Sequence, residues 1–210
     1  MLVKLGQSSE AVVEALIALV RDGDSNVRYQ AAESLGELGQ SPDAVVEALL
    51  TLVKDDDANV RFRAAASLGE LGQSSEAVVE ALIALVKDDD ANVRSRAATS
   101  LVKLGQSSEA VVEALIALVR DGDLNVRYQA AESLGELGQS SEAIIEALLK
   151  SLKDDVRSIP NMISARAAQS LVTLAKTSDA VEPALVQWIE QNQHEAYVSN
   201  GIDALWEIIR

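Results

Sequence analysis

Three groups of residues in the sequence have types and spacings that suggest chemistry. Asp55-Asp56-Asp57 and Asp88-Asp89-Asp90 could draw in a divalent cation. A calcium-binding loop, however, needs alternating oxygen ligands, a central glycine and a terminal glutamate. That pattern is missing, and a helix stop followed by an N-cap explains the aspartates better. The second group is His194-Glu195. His194 is the only histidine (His 1), so no histidine-rich metal cage can form within one chain; it is expected in a turn or at a helix start. There is no cysteine (Cys 0), which removes thiolate ligands, thiol nucleophiles and disulfides together. The third group is aromatic and basic: Tyr29, Phe62 and Tyr128 with Arg63, Arg96 and Lys103. Its chemistry is recognition, because aromatic residues and arginine dominate interface hot spots. No nucleophile or acid–base pair stands out. The sequence therefore predicts a non-enzymatic protein, with no catalytic, cofactor-binding or metal residues assigned.

Charge narrows the choice of partner. Lys+Arg 18 stand against Asp+Glu 33, a net charge of -15. Like charges repel, so binding to phosphate backbones or anionic lipid is disfavoured. Apolar residues make up 48% of the chain, enough for a continuous core. No run approaches the roughly 20 uncharged apolar residues of a membrane span. The opening MLVKLGQSSE lacks a secretion-signal pattern. The expectation is a soluble, cytoplasmic protein whose partner is a protein or peptide, with neither nucleic acid nor membrane involved.

The elements that must position these residues come from a repeat. The tripeptide LGQ opens at Leu5, Leu38, Leu71, Leu104 and Leu137, a period of 33. The first and fourth copies differ only where Leu124 replaces Ser25. The expected units are 5–37, 38–70, 71–103, 104–136, 137–173 with an insertion around Val156–Pro160, and a divergent capping unit 174–210. Residues 1–4 read as the remnant of a preceding unit, since Leu2–Gly6 matches Leu101–Gly105. Each unit reads as two helices. Ser8, Ser41, Ser74, Ser107 and Ser140 are predicted N-caps of the first, with Pro42 at its first helical position. That helix carries Val13, Leu16, Ile17 and Val20 at helical spacing. Asp24, Asp57, Asp90 and Asp123 are predicted N-caps of the second. There Val27, Ala31, Ser34, Leu35 and Leu38 share one sector, and Ala32 and Gly36 give a small-residue flank for close helix packing. Arg28, Arg61, Arg94 and Arg127 predict an Asp–Arg ladder between successive units. Trp188, Ile189, Leu205, Trp206, Ile208 and Ile209 predict a capping core. One unit cannot bury both its apolar face and its flank, so the units must stack into a single all-α, right-handed superhelical solenoid spanning 1–210.

Twelve positions vary among the four regular copies, and the strong changes fall on the second helix. With the buried sector centred near Ala31, those positions form an exposed stripe. It contains Tyr29, Gln30 and Glu33 in the first unit, and Phe62 and Arg63 in the second. Arg96, Thr99 and Lys103 follow in the third, and Tyr128, Gln129 and Glu132 in the fourth. The unvarying Asn26, Asn59, Asn92 and Asn125 join it. Second helices line the concave wall of such solenoids, so the stripe is the expected binding face. Arg63, Arg96 and Lys103 give it a basic centre flanked by Glu33, Glu37, Glu132 and Glu136, which suits an extended peptide acidic in its middle. The alternative is that these charges merely pair across neighbouring helices.

The segment AVVEALIALVRDGDSNVRYQAAESLGELG resembles the HEAT-like repeats named after phycobilisome lyases, and artificial alpha-helical repeat proteins of the same consensus. The Asp-x-x-Val-Arg turn and the Ala-Ala-x-x-Leu-Gly second helix carry the likeness, and Asp179–Leu185 matches the first helix closely. The resemblance implies an armadillo-type α-solenoid that acts as a scaffold, as in the arms of bacterial signalling NTPases. It leaves a phycobilin lyase-like subunit or chaperone as the alternative function. A di-iron hydroxylase of the same repeat class needs several His-Glu pairs, and this chain has one. A DNA-cradling glycosylase needs a more basic wall. The uncapped first unit, with parts of Val12, Leu16 and Val27 open, implies either excision from a longer array or an end-to-end homodimer.

Overall fold

The computed structural model describes residues 10–39, 42–153 and 162–210. The predicted N-caps Ser8 and Ser41 and the insertion around Val156–Pro160 lie outside them. The described residues form α-helices and no strand. These are α1 Glu10–Leu19, α2 Ser25–Glu37, α3 Asp43–Leu52, α4 Ala58–Leu71, α5 Glu76–Leu85 and α6 Ala91–Lys103, then α7 Glu109–Leu118, α8 Leu124–Glu136, α9 Glu142–Ser151, α10 Met162–Ala175, α11 Val181–Gln191 and α12 Val198–Ile209. They group into two compact units, Met1–Gln106 and Ser107–Arg210. Within the first, α4 packs between α2 and α6, and α3 between α1 and α5. Within the second, α10 packs between α8 and α12, and α9 between α7 and α11. Each unit thus has one row of first helices and one row of second helices. No helix among the described residues is long and apolar enough to cross a membrane.

Local chemistry sets the boundaries. The carboxylates of Asp24, Asp57, Asp90 and Asp123 accept the N–H of Asn26, Asn59, Asn92 and Asn125, capping α2, α4, α6 and α8 as predicted. The caps of the first helices fall one residue later than expected. Ser75 and Ser141 accept from the N–H of Val78 and Ile144, Ser108 holds the same position without that bond, and Pro42 is itself the N-cap of α3. Gly39, Gly72, Gly105 and Gly138 follow second helices with a left-handed backbone, as at Gly72 with φ 69.

The core repeats with the sequence. Val45, Val78 and Val111, then Leu49, Leu82 and Leu115, then Leu52, Leu85 and Leu118 are buried on the first helices. This stripe includes the positions of Val12 and Leu19 rather than that of Ile17, whose counterparts Leu50, Ile83 and Ile116 are half-buried. On α1 no residue is buried, and Leu19 is exposed. Val12, Leu16 and Val27 are half-buried. At the other end Trp188 is buried against Gly201, but Trp206 is 64% exposed, alongside Ile202 and Ile209. Of the residues expected in the capping core, Trp188 is buried, Ile189, Leu205 and Ile208 are half-buried, and Trp206 and Ile209 are exposed, so α12 keeps an apolar outer face.

Two cross-repeat contacts recur. The hydroxyls of Ser67, Ser100 and Ser170 each donate to the carbonyl of Ala32, Ala65 and Ala131 at 2.8 Å. Each serine faces a glycine of the preceding second helix; a Cβ on Gly36, Gly69 or Gly135 would lie 2.6, 2.7 or 2.4 Å from the serine oxygen. Only glycine permits this approach. The second contact is the predicted Asp–Arg ladder. Arg28 donates to both carboxylate oxygens of Asp55 at 2.6 and 2.8 Å, and Arg61 to those of Asp88 at 2.7 and 2.8 Å. The remaining Nη1 of each arginine ties down turn carbonyls, Asp22 O at 2.9 Å for Arg28 and Asp55 O at 2.8 Å for Arg61. Arg94 and Arg127 bind the corresponding carbonyls of Asp88 and Asp121.

The ladder shifts titration. The Arg28 hydrogen bonds hold Asp55 below the ordinary carboxylate range, against the opposing effect of burial. Burial pushes Asp88 up, but the Arg61 hydrogen bonds and the Asp90 N–H outweigh it, so Asp88 too is lowered. A depressed carboxylate contributes stability that is present above its unfolded pKa, about 3.9, and lost as pH falls through the folded value. Thermal unfolding followed by circular dichroism is therefore expected to be flat near neutrality and to weaken below about pH 4. Asp55→Asn/Asp88→Asn will be less stable at pH 7, with a shallower acid dependence. In urea titrations, Gly69→Ala is expected to cost about 1–3 kcal/mol, because the new methyl overlaps Ser100 Cβ and crowds its backbone.

Candidate functional site

The second helices carry the variable stripe, and each structural unit presents its own part of it. In the first unit Asn26, Asn59 and Asn92 are exposed at the starts of α2, α4 and α6. Asn26 Nδ2 also donates to Asp24 Oδ1 at 3.0 Å. Gln30 and Lys103 are exposed. Tyr29, Glu33, Phe62, Arg63, Arg96 and Thr99 are half-buried rather than open, because side chains of adjacent repeats lie over one another.

The first such cluster is Tyr29–Glu33–Arg63. The Arg63 guanidinium carbon lies 4.9 Å from the Tyr29 ring centroid. Its Nη2 donates to Tyr29 Oη at 2.6 Å and pairs with Glu33 Oε1 at 3.0 Å. Burial works against the Arg63 charge, and the tyrosine hydroxyl and the Glu33 carboxylate more than offset it, so its pKa is raised. The second cluster lacks these acceptors. Arg96 stacks 4.5 Å from the Phe62 centroid, and Ala66 stands at the position of Glu33. Thr99 Oγ1 donates to the Ser95 carbonyl at 3.1 Å, one turn back on the same helix. Ser25, Asn26, Tyr29, Gln30, Asp57 and Asn59 enclose an open cavity of about 370 Å³ at the start of α2 and α4.

In the second unit Asn125 is exposed, and Tyr128, Gln129 and Glu132 are half-buried. Arg166 lies 4.8 Å from the Tyr128 centroid, hydrogen-bonds its hydroxyl and pairs with Glu132 Oε1 at 3.1 Å. Gln129 Nε2 donates to Glu132 Oε2 at 2.9 Å. Arg166 was not among the expected site residues. It follows Tyr128 by 38 positions instead of the 34 that separate Tyr29 from Arg63, because the insertion displaces it in sequence. Thus Arg63 and Arg166 do pair across neighbouring helices, the plainer of the two sequence readings, while Arg96 keeps only its ring contact. His194 is exposed in the turn between α11 and α12. Among the described residues, no group of three or more His, Asp or Glu side chains could hold a metal ion.

Paired helices that recur every 33 residues and share one set of inter-repeat contacts define an all-α repeat solenoid, a scaffold fold. The family model described as HEAT repeats matches residues 13–102 and 79–171, and the chain belongs to the HEAT-repeat family. No curated protein matches the sequence. Among solved structures, an engineered protein is similar with a TM-score of 0.63 and 24% identity, over 94% of this chain and 96% of that one. A yeast importin-beta is similar with a TM-score of 0.71 and 16% identity; the match covers 95% of this chain and 30% of the importin. A designed armadillo repeat protein in complex with the peptide (KR)4 has a TM-score of 0.62 and 16% identity, over 95% of this chain and 100% of its own. These likenesses establish the fold.

The clusters differ in what they contribute to stability. Arg63→Ala removes a stacked ring, a hydroxyl acceptor and a carboxylate, and is expected to cost about 1–2 kcal/mol in urea unfolding. Arg96→Ala removes the ring contact alone and should cost about 0.5–1 kcal/mol.

Proposed function

We propose that this chain is a non-enzymatic interaction scaffold that binds a protein or peptide along its second helices. The carrying observation is the open cavity at the start of α2 and α4, lined by Ser25, Asn26, Tyr29, Gln30, Asp57 and Asn59, where Asn26, Gln30 and Asn59 are exposed. Exposed side-chain amides both donate and accept, which suits the main chain of an extended ligand. The half-buried aromatic–arginine pairs supply rigid, partly desolvated area of the kind that dominates interfaces. The same surface continues through Phe62, Arg63, Asn92, Arg96, Thr99 and Lys103 in the first unit and is repeated by Asn125, Tyr128, Gln129 and Glu132 in the second. The similar designed armadillo repeat protein in complex with the peptide (KR)4 supports a peptide as the class of ligand, though that peptide is basic. The preferred ligand is an extended segment with acidic residues in its middle, to meet Arg96 and Lys103.

Panning a display library of random peptides against the protein tests this. Selected peptides are expected to lose at least about tenfold in affinity with Tyr29→Ala or Phe62→Ala. Selected peptides indifferent to both substitutions would overturn the reading. The exposed Leu19 on α1, a helix with no buried residue, supports a second, independent contact, with a second copy of the chain. Light scattering should then show mass rising with concentration; a constant 22.3 kDa would rule that pairing out.

A further inference from the structure

The chain contains its own controls for Arg96. Arg63 and Arg166 each sit on a tyrosine ring, bonded to its hydroxyl and paired with a glutamate four residues further along the same helix. At the intervening position the ring is kept and both acceptors are removed together: Phe62 has no hydroxyl and Ala66 has no carboxylate. Arg96 stacks on Phe62 at 4.5 Å, and its Nε is buried without a hydrogen-bond partner among the described residues. Arg63 Nε is likewise unpartnered; what distinguishes Arg96 is that its terminal nitrogens make no hydrogen bond or ion pair among the described residues, whereas Arg63 Nη2 makes both.

A guanidinium carries five N–H donors in a planar fork that matches two carboxylate oxygens. An incoming carboxylate would complete at Arg96 the geometry that Glu33 and Glu132 complete elsewhere. Stacking on the ring holds the fork in place before binding, which lowers the ordering cost of capture. Lys103 lies two turns further along α6 and adds positive charge on approach.

We propose that Arg96, stacked on Phe62 above Ala66, is a carboxylate-binding site that reads one Asp or Glu side chain of the extended ligand. This rests on the proposed binding face and assigns its central specificity contact. The geometry also says how to close the site: Phe62→Tyr/Ala66→Glu rebuilds the first cluster around Arg96 with internal acceptors. It says how to open another: Tyr29→Phe/Glu33→Ala frees Arg63.

The test follows the Arg Nε–Hε signals by NMR during titration with Ac-Ser-Ala-Glu-Ala-Ser-NH2 and its Gln counterpart. For a single pair the dissociation constant is on the order of millimolar. The expected result is a saturable shift of Arg96 with the Glu peptide, none with the Gln peptide, and none in Phe62→Tyr/Ala66→Glu. In Tyr29→Phe/Glu33→Ala, Arg63 should begin to respond, which keeps the test decisive if the first double variant does not fold. An Arg96 signal that stays still, or responds equally to both peptides, overturns the proposal. Library-selected peptides separate the two claims: binding that is lost with Tyr29→Ala but unchanged in Phe62→Tyr/Ala66→Glu sinks the carboxylate site and leaves the binding face standing.

Discussion

The closest constraint in the molecule is the gap between successive second helices. Gly36, Gly69 and Gly135 have no room for a Cβ, because Ser67, Ser100 and Ser170 press against them. That contact sets the distance at which each serine reaches the carbonyl of Ala32, Ala65 or Ala131. A helix-interior glycine costs roughly 1 kcal/mol relative to alanine, so its recurrence needs a packing reason, and the serine supplies it. Around this approach the small side chains Ala31, Ala32, Ala64, Ala65, Ala97 and Ala98 are fully enclosed. Once the helices are that near, long side chains on the outer sector are forced over their neighbours, and arginine lands on tyrosine or phenylalanine.

The Asp–Arg ladder does different work at the turns. At two turns one aspartate receives the arginine of the preceding repeat and also the N–H two residues on: Asp55 Oδ1 from Asp57 at 2.9 Å and Asp88 Oδ1 from Asp90 at 2.9 Å. A single carboxylate therefore fixes the turn and the register between repeats. The third aspartate caps the helix. Runs that resemble cation ligands have their oxygens directed to N–H groups, which is why they read more naturally as structure than as a metal site.

Much of the fold was legible because a 33-residue period leaves few alternatives, and the Asp N-caps, the small-residue flank and the Asp–Arg ladder each follow from one residue type at one spacing. The Ser N-caps shifted by one because Ser-Ser offers two candidates and helical spacing cannot choose between them. Ile17 shares the helical spacing of Val13, Leu16 and Val20 but its counterparts are only half-buried; a helical sector drawn from four residues tolerates an error of about one position. The site was only partly legible. Sequence gave its residues, but not that Tyr29 and Glu33 are covered by Arg63, since helix geometry within one repeat says nothing of side chains arriving from the next. A signal was nonetheless present. Tyr29 and Phe62 are followed 34 residues later by arginine, while Ser95 is followed by Gln129.

The Tyr128–Glu132–Arg166 cluster reproduces Tyr29–Glu33–Arg63 even though the intervening chain is longer by the difference between 38 and 34 residues. Loop length and interface chemistry are therefore uncoupled. Such a seam lets the polypeptide gain or shed whole modules, or decorate a bend, without solving its interior afresh. Lineages built this way can explore new outer surfaces by copying rather than by invention.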